Sequence, residues 1–280
     1  MPHARQQAFR TPLSSCPKGL MFTSIAHKDA AFAILSDPNL DPLVLYEEGL
    51  LRRQAEEPVR LPGVHASEIS KCLRMVRFSL NGASKVPPRK LPKVDLKKRF
   101  AIGHAVHELV QAAYAKGCGR SVRFEPEVEL ADTPLGRELN LRSKTDGVIT
   151  HLDSSGQPFI RIGLEIKTDT NEAWQKRVMP DEDHLDQVTV YMAALDLPLM
   201  YISYVNKSSG ECTPFKAPFA YVFDEARWKS IRARIERASS EENPFNLPAA
   251  SKSSACMTCS YRHHCKDSNE PLPKTFVWEK

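Results

Sequence analysis

Two acidic residues and one lysine could together perform metal-assisted chemistry on a phosphate ester. Asp146 is followed by Gly147, and Glu165, Ile166 and Lys167 form a Glu-x-Lys motif further along the chain. Two carboxylates held side by side repel each other unless a divalent cation lies between them. Such cations polarise phosphoryl oxygens and generate hydroxide from water, and a neighbouring lysine can orient that nucleophile or neutralise developing charge. These side chains are therefore candidates for phosphodiester hydrolysis.

The surrounding residues predict the strands that must position these groups. Residues 139–150 are typical of a strand that turns at Asp146 and continues along β-branched residues, and residues 159–168 are typical of the next strand. Side chains alternate along a strand, so Glu165 and Lys167 point to one face. If the two segments pair as a hairpin, Asp146 can lie beside Glu165. A Glu-x-Lys pair by itself is more often a solvated surface, so the other motifs decide its meaning.

Two predicted helices carry further candidate groups. Apolar spacing predicts a helix over residues 95–116, with His107 next to its apolar stripe, and a second helix over residues 181–195. A lone histidine at such a position is usually part of the core unless carboxylates lie opposite. On the second helix, Gln187 and Tyr191 are four residues apart and share a face. They could bind a phosphate, a base edge or simply each other.

Taken together, these motifs resemble the branch of the PD-(D/E)XK nuclease superfamily that includes RecB-type exonucleases and the CRISPR-associated Cas4 proteins. In that branch a helix carries G-x-x-x-H, one strand carries the Asp, the next strand carries E-x-K, and a later helix carries Q-x-x-x-Y. The matching residues are Gly103 and His107, Asp146 with Gly147, Glu165 with Lys167, and Gln187 with Tyr191. The resemblance covers about residues 64–266, most of the chain.

The resemblance implies an α/β fold with a restriction-endonuclease-like core, in which helices flank a central mixed β-sheet. It also implies a Mg2+- or Mn2+-dependent DNA exonuclease that acts on single-stranded or frayed ends. The implied metal ligands are His107, Asp146, Glu165 and the carbonyl group of Ile166. The implied catalytic set is Lys167, Asp146 and Glu165, with Gln187 and Tyr191 positioning the scissile strand.

Four of the seven cysteines form a second candidate centre. Three follow the pattern C-x2-C-x5-C near the C-terminus, and the natural fourth donor lies before the nuclease motifs; the set is Cys256, Cys259, Cys265 and Cys72. This arrangement resembles the iron–sulfur nucleases of the superfamily, in which a [4Fe–4S] cluster ties the C-terminal cysteine module to an N-terminal helix. Zinc is the alternative occupant, on the same thiolates or with His263 or His264 replacing one. We expect Cys16, Cys118 and Cys212 to be ordinary thiols.

Composition indicates one globular domain with appendages. A chain of 280 residues that is 41% hydrophobic can bury a full core, and no apolar run reaches the ~18 residues of a membrane span. We expect an N-terminal extension over residues 1–60, helical from about 41 to 57, a nuclease domain over 61–266 that includes the cysteine module, and a tail over 267–280. No secretory signal is visible, and Pro12 and Pro17 oppose an organellar transit helix. We therefore expect a cytoplasmic protein of a bacterial or phage-infected cell, without disulfides.

A basic stretch precedes the His107 helix and is a candidate DNA-binding surface. The net charge of the chain is only +5, but residues 81–100 form a proline-containing loop rich in cations that continues into that helix. The residues that we expect to neutralise DNA phosphates are Lys90, Lys93, Lys97, Lys98 and Arg99. A charge run is more often a solvated face, so this interpretation depends on the neighbouring motifs.

Later residues complete the predicted sheet and helical layers. We expect strands over 199–206 and 218–223, followed by a helix over 225–239. Two other functions remain open at this point. One is a catalytically silent nucleic-acid-binding module that partners a helicase or an integration complex. The other is a zinc-stapled structural protein in which the acidic motifs are coincidental.

Overall fold

The computed structural model of the protein describes residues 61–85, 93–212, 218–250, 256 and 259–267. All of these belong to one compact unit, residues 58–280. The predicted extension over 1–60 with its helix at 41–57, the candidate DNA contact Lys90, and the tail beyond residue 267 lie outside the described residues.

A five-stranded mixed sheet forms the centre of the described structure. The strands lie in chain order: β1 (Val122–Pro126), β2 (Gly147–Leu152), β3 (Pro158–Asp169), β4 (Leu199–Asn206) and β5 (Phe219–Val222). The β3–β4 pair is parallel, and the other three pairs are antiparallel. Parallel strands cannot be joined by a short hairpin turn. The chain between β3 and β4 therefore makes a longer crossover connection, which is usually helical. The structure thus confirms the predicted α/β fold with a central mixed sheet.

Helices cover both faces of this sheet. They are α1 (Ala66–Ile69), α2 (Leu73–Leu80), α3 (Lys93–Gly117), α4 (Pro134–Glu138), α5 (Asn171–Lys176), α6 (Glu182–Leu195) and α7 (Glu225–Ser240), with short 3-10 turns at Pro244–Asn246 and His264–Asp267. On one face, Val110 of α3 packs against Leu164, Ile166 and Val205. On the other, α1, α2, α6 and α7 bury the larger apolar core. The predicted helices over 95–116, 181–195 and 225–239 all lie within two residues of α3, α6 and α7.

The strand predicted over residues 139–150 is wrong in its first half. Strand β2 begins at Gly147, whereas Leu141 pairs with Val64 in an isolated parallel bridge. The backbone N–H of Arg142 donates to the carbonyl oxygen of Val64 at 2.8 Å, and that of Thr145 donates to the carbonyl oxygen of Val128 at 3.1 Å. The segment before β2 therefore satisfies its backbone groups with partners outside the β2–β3 hairpin, and Asp146 lies at the bend where the strand starts.

Gly147 fits this bend because β1 approaches it closely. A Cβ atom at this position would lie 2.3 Å from the ring of Phe124, which is itself stacked on Tyr114 of α3. Such a distance forces a displacement of the ring. The glycine after Asp146 therefore lets the β1 aromatic residue pack directly over the start of β2.

The predicted basic loop is partly helical. Lys93, Lys97, Lys98 and Arg99 belong to the first two turns of α3, because the helix begins two residues before the predicted start. Lys85, at the beginning of the basic stretch, donates to Glu68 of α1 at 2.6 Å. The basic residues nearest to His107 are thus carried by the same rigid element as His107.

The C-terminal segment packs on α2. The Phe78 ring stacks on Tyr261 and on His264, with centroid distances of 5.9 and 5.3 Å. The buried Arg74 donates through Nε to the carbonyl oxygen of Leu247 at 2.8 Å. An N-terminal helix and the chain beyond α7 are therefore joined by aromatic stacking and by hydrogen bonds.

Candidate active site and cysteine cluster

The C-terminal half of β3 divides its side chains between the two helical layers. Leu164 and Ile166 face α3, whereas Glu165 and Lys167 face the opposite layer. The parallel register with β4 places Lys167 beside Tyr204 on that second face. The predicted alternation is confirmed, and it presents a carboxylate and an ammonium group to helix α6.

Asp146 is held at the same end of the sheet by hydrogen bonds to its carboxylate and to its carbonyl oxygen. Its Oδ2 accepts from the backbone N–H of Ile166 at 2.6 Å, and its Oδ1 lies 3.0 Å from Nδ1 of His107. Its carbonyl oxygen accepts from the Gln111 side chain at 2.8 Å. Helix α3 and strand β3 therefore fix both the carboxylate and the backbone of Asp146.

The interaction with Asp146 also changes the protonation of His107. Burial lowers the pKa of His107, but the hydrogen bond and the charge of Asp146 outweigh it, and the pKa lies above its usual value. The sequence analysis did not identify Gln111 as part of the site. The available signal was its position four residues after His107, which places the two side chains on one helix face.

Glu165, Lys167 and Gln187 form a closed network. Lys167 Nζ lies 2.6 Å from Glu165 Oε1 and donates to Gln187 Oε1 at 2.8 Å. The amide nitrogen of Gln187 donates to Glu165 at 2.9 Å and to the Tyr191 hydroxyl at 2.6 Å. Each polar atom of the Gln187 amide thus has a partner, and Gln187 fixes the lysine and the carboxylate at once. Tyr191 is 3% exposed, and its hydroxyl accepts from the Gln187 amide.

Burial makes the negative charge of Glu165 costly. The pKa of Glu165 is raised to about 7, chiefly by burial, while Lys167 lowers it and Asp146 raises it. A carboxylate in this setting shares its site with a second carboxylate and with one ammonium group. It is therefore a group whose charge a bound cation would stabilise further.

The predicted metal ligands are brought to one region but not into a formed metal site. In the ranges that the structure describes, no group of three or more His, Cys, Asp or Glu side chains is arranged to hold a metal ion. His107 instead pairs with Asp146, and Glu165 pairs with Lys167. Ile166 engages this region through its N–H group, which donates to Asp146, rather than through its carbonyl.

Comparison with known proteins gives a likeness in fold only. No protein-family model matches the sequence, and no curated protein matches it significantly. The crystal structure of SSO0001 is 11% identical over 82% of this chain and 98% of that chain, with a TM-score of 0.44. LHK-Exo in complex with dAMP is 14% identical over 65% and 89%, with a TM-score of 0.44. The alkaline exonuclease LHK-Exo from Laribacter hongkongensis in a second structure is 13% identical over the same shares, with a TM-score of 0.43. Similarity at this level carries no information on activity, so the site is interpreted from its own residues.

A polar cavity of about 280 Å3 lies beside Tyr191. Its lining residues are Ser67, Glu129, Arg142, Ser143, Lys144 and Tyr191. Lys144 also pairs with Glu127 at 2.6 Å, and the Ser143 hydroxyl accepts from the N–H of Ala66 at 2.8 Å. The lining thus carries two cationic side chains, three hydroxyls and the carboxylate of Glu129.

The four cysteines of the predicted cluster lie in one region of the described structure. The pKa of Cys265 is raised to about 11, first by burial and then by the neighbouring thiols of Cys259, Cys72 and Cys256. The pKa of Cys259 is raised for the same reasons. Within the described residues, the cysteines form no disulfide. The fold thus brings together a cysteine that precedes α2 and three that follow α7, although within the described residues they do not form a ready metal site.

No helix among the described residues is long and apolar enough to cross a membrane.

Proposed function

We propose that the protein is a divalent-metal-dependent DNA nuclease, an exonuclease that acts on single-stranded or frayed ends. The observation that carries this proposal is the convergence of Asp146, Glu165 and Lys167 at one end of the β2–β3 hairpin, with His107 reaching Asp146 from α3. Surface charge pairs are rarely this buried, and a buried carboxylate with a raised pKa is a common sign of a functional site.

His107, Asp146, Glu165 and the carbonyl of Ile166 would hold Mg2+ or Mn2+. Carboxylate and carbonyl oxygens are the ligands that these ions prefer, and imidazole also suits Mn2+. A bound ion would polarise a phosphoryl oxygen and lower the pKa of a coordinated water. The residues fit this role chemically. Binding of an ion would replace the Asp146–His107 and Glu165–Lys167 interactions by bonds from these side chains to the ion.

Lys167 is the proposed catalytic lysine. Lys167 is bonded to Gln187 as well as to Glu165, so with an ion on Glu165 its ammonium group would stay in place and could orient the attacking water or neutralise charge on the phosphate. Gln187 is the proposed positioning residue, because its amide sets the distance between Lys167 and Glu165. Tyr191 fixes the amide orientation by accepting its second N–H.

The substrate assignment rests on the distribution of positive charge. Helix α3 carries basic residues on the turns that precede His107, so a phosphate backbone that follows this helix leads to the site. The cavity beside Tyr191 is smaller than the roughly 300–1,000 Å3 of most ligand pockets, and its Arg142 and Lys144 would accept a terminal phosphate. A DNA strand with a free end could follow α3 and also place its terminal phosphate in this cavity.

We further propose that Cys72, Cys256, Cys259 and Cys265 hold a [4Fe–4S] cluster that ties α2 to the C-terminal segment. The support is the mutual proximity of the four thiols, which raises the pKa of two of them. Binding would be linked to deprotonation, since only thiolates ligate. Zinc would leave the protein colourless, whereas the cluster absorbs visible light. Iron and zinc analysis of anaerobically purified protein therefore decides between them.

Digestion of end-labelled DNA tests the activity. We expect single-stranded and frayed substrates to be degraded from their ends with Mg2+ or Mn2+, and no degradation in EDTA. Lys167→Ala should remove the activity, whereas Lys176→Ala should not, because Lys176 is an exposed lysine of α5 paired with Glu172. If the wild-type protein binds DNA but never cleaves it, a nucleic-acid-binding module replaces the nuclease.

A further inference from the structure

A second histidine lies beside the network of Lys167 and Gln187. His184 precedes Gln187 by three residues on α6, so both side chains lie on the same helix face. Nδ1 of His184 is 2.7 Å from the hydroxyl oxygen of Tyr204, and Tyr204 is the β4 partner of Lys167 in the sheet register. The imidazole is thus placed between the helix that holds Gln187 and the strand next to Lys167.

The hydrogen bonds around Tyr204 fix the tautomer of His184. Tyr204 is fully buried, and its hydroxyl oxygen accepts from the backbone N–H of Asp181 at 3.3 Å. A buried hydroxyl also needs an acceptor for its proton. Among the described residues, Nδ1 of His184 is the acceptor within hydrogen-bond distance of this hydroxyl, at 2.7 Å. The proton of the neutral imidazole is therefore on Nε2.

The surroundings keep this imidazole neutral. Burial, followed by the charges of Lys167 and Arg177, lowers the pKa of His184 to about 4, and Asp181 and Asp183 oppose this effect. Arg177 stacks on the Tyr204 ring with its guanidinium 3.8 Å from the ring centroid, and it pairs with Asp169 and Asp181. This assembly holds the tyrosine, and hence the histidine, in one orientation.

One polar atom of His184 has no role in this assembly. The side chain is 25% exposed, and Nε2 makes no hydrogen bond within the described part of the chain. A neutral N–H group that is fixed in direction and open to solvent is a hydrogen-bond donor ready for an acceptor. Arg177 is already paired with Asp169 and Asp181, whereas the charge of Lys167 acts on His184. The acceptor that fits best is therefore an anionic oxygen that Lys167 also attracts.

We propose that His184 is a substrate-binding residue, whose Nε2–H donates to a non-bridging oxygen of the DNA phosphate held beside Lys167. This inference rests on the proposed nuclease function and adds a hydrogen bond to the same site. Tyr204 is the positioning residue for that bond, because it receives Asp181 N–H and directs its own proton to Nδ1. A donor that stays neutral gives an interaction of constant strength across physiological pH, unlike an ordinary histidine.

Two substitutions of His184 separate a substrate-binding role from a structural role. Asparagine can replace Nδ1 but does not reach the position of Nε2, whereas glutamine can place an amide N–H there. We expect His184→Asn to weaken phosphate binding and single-turnover cleavage by about 10- to 100-fold, the range for one hydrogen bond to a charged group. His184→Gln should recover most of that loss. Melting temperatures of the two variants should agree within a few degrees.

The binding measurement does not depend on catalysis. A fluorescent single-stranded oligonucleotide in EDTA is the probe, alongside the same oligonucleotide with one methylphosphonate, which lacks the anionic oxygen. The His184→Asn penalty should disappear when the methylphosphonate occupies the site. Wild-type protein that binds but does not cleave with Mg2+ or Mn2+ would refute the nuclease function while leaving this comparison valid.

The tautomer gives a spectroscopic readout. Nitrogen-15 NMR of His184 should report Nε2–H without titration between pH 5.5 and 8, because burial and the charge of Lys167 keep the pKa low. Tyr204→Phe removes the hydroxyl at Nδ1 and should let the neutral imidazole populate the Nδ1–H tautomer as well. Equal affinity for the wild type and His184→Asn would overturn the proposal. Equal losses in the Asn and Gln variants, or an Nδ1–H tautomer in the wild type, would overturn it as well.

Discussion

At the scale of single residues, Glu165 is expected to lower stability while it serves the proposed activity. Its carboxylate is buried near Asp146, and its pKa of about 7 in the folded protein lies above the ~4.3 of an unfolded glutamate. Between these two pKa values the folded state binds the proton and the unfolded state does not. The free energy of unfolding therefore falls as pH rises from about 4 to about 7, and it stays low above pH 7. In the absence of a cation, the residue that we propose as a metal ligand thus weakens the fold.

Glu165→Gln should therefore stabilise the metal-free protein at alkaline pH. The amide keeps the shape of the side chain and removes the buried charge. The difference in free energy of unfolding between the variant and the wild type should therefore grow by about 2 to 3 kcal/mol from pH 5 to pH 8. Urea unfolding in EDTA at both pH values measures this difference. Glu125→Gln is the control, since Glu125 is exposed on β1. The Glu125→Gln protein should show the pH dependence of unfolding of the wild type. If the Glu165→Gln protein shows it too, the raised pKa of Glu165 is wrong.

Gln187 is expected to affect turnover more than binding. Its amide is the shared partner of Lys167 and Glu165, so Gln187→Ala frees both groups without removing a phosphate-binding side chain. The single-turnover rate at saturating DNA should fall about 10- to 100-fold, and the dissociation constant should change less than about threefold. Gln157→Ala, on the exposed β2–β3 turn, should leave both quantities unchanged. A loss that appears only in affinity would assign Gln187 to binding instead.

At the scale of elements, the start of β2 positions Asp146. A Cβ atom at Gly147 would collide with the Phe124 ring, which cannot move without disturbing its stacking on Tyr114. Gly147→Ala should therefore destabilise the protein by about 1–3 kcal/mol, the usual cost of overpacking, and should shift Asp146 away from Ile166 N–H.

The matched control is Gly119→Ala, where an added Cβ would meet no described atom within 4 Å. Urea denaturation and cleavage rate should both change for Gly147→Ala and for neither in the control. A fully stable Gly147→Ala protein would mean that β1 does not constrain the start of β2.

Helix α3 is expected to act as the electrostatic track for DNA. Replacing Lys90, Lys93, Lys97 and Lys98 by Ala should weaken DNA binding about equally for all sequences. It should also reduce the slope of log K against log salt by up to about 0.7 for each phosphate of a single strand that the protein no longer neutralises. Fluorescence anisotropy over a salt series measures both effects. Lys176→Ala with Lys229→Ala is the control for exposed lysines of other helices. An unchanged slope would show that the basic stretch is only a solvated face.

At the scale of the whole molecule, the cysteine cluster is expected to join the two ends of the described unit. Changing Cys72, Cys256, Cys259 or Cys265 to Ser should bleach the protein and lower its stability, because three thiolates hold a cluster poorly. The aromatic stacking of Phe78 would then hold the C-terminal segment without help from the cluster.

Cys118→Ser provides the comparison, since Cys118 is a half-buried thiol at the end of α3. Visible absorbance, iron content and urea unfolding should be unchanged in that variant. Stoichiometric zinc and no colour in the anaerobic wild-type protein would replace the iron–sulfur proposal with a zinc site.

Local periodicity in the sequence determined much of this architecture. The alternation of Leu164, Glu165, Ile166 and Lys167 predicted which side chains of β3 share a face, because a pleated strand has a period of two whatever surrounds it. The same holds for α3 and α6, whose apolar spacing located them within two residues. The motif order also predicted that His107, Asp146 and Glu165 would lie near one another.

Only the tertiary structure decided which hydrogen bonds these groups make. Asp146 lies before β2 rather than within a strand, because the backbone of residues 139–145 bonds to Val64 and to residues 128–136 instead of to β3. Likewise, the tautomer of His184 depends on Tyr204, twenty positions further along the chain. Such hydrogen bonds join residues that no local pattern relates, and burial in the assembled core is what makes each of them obligatory.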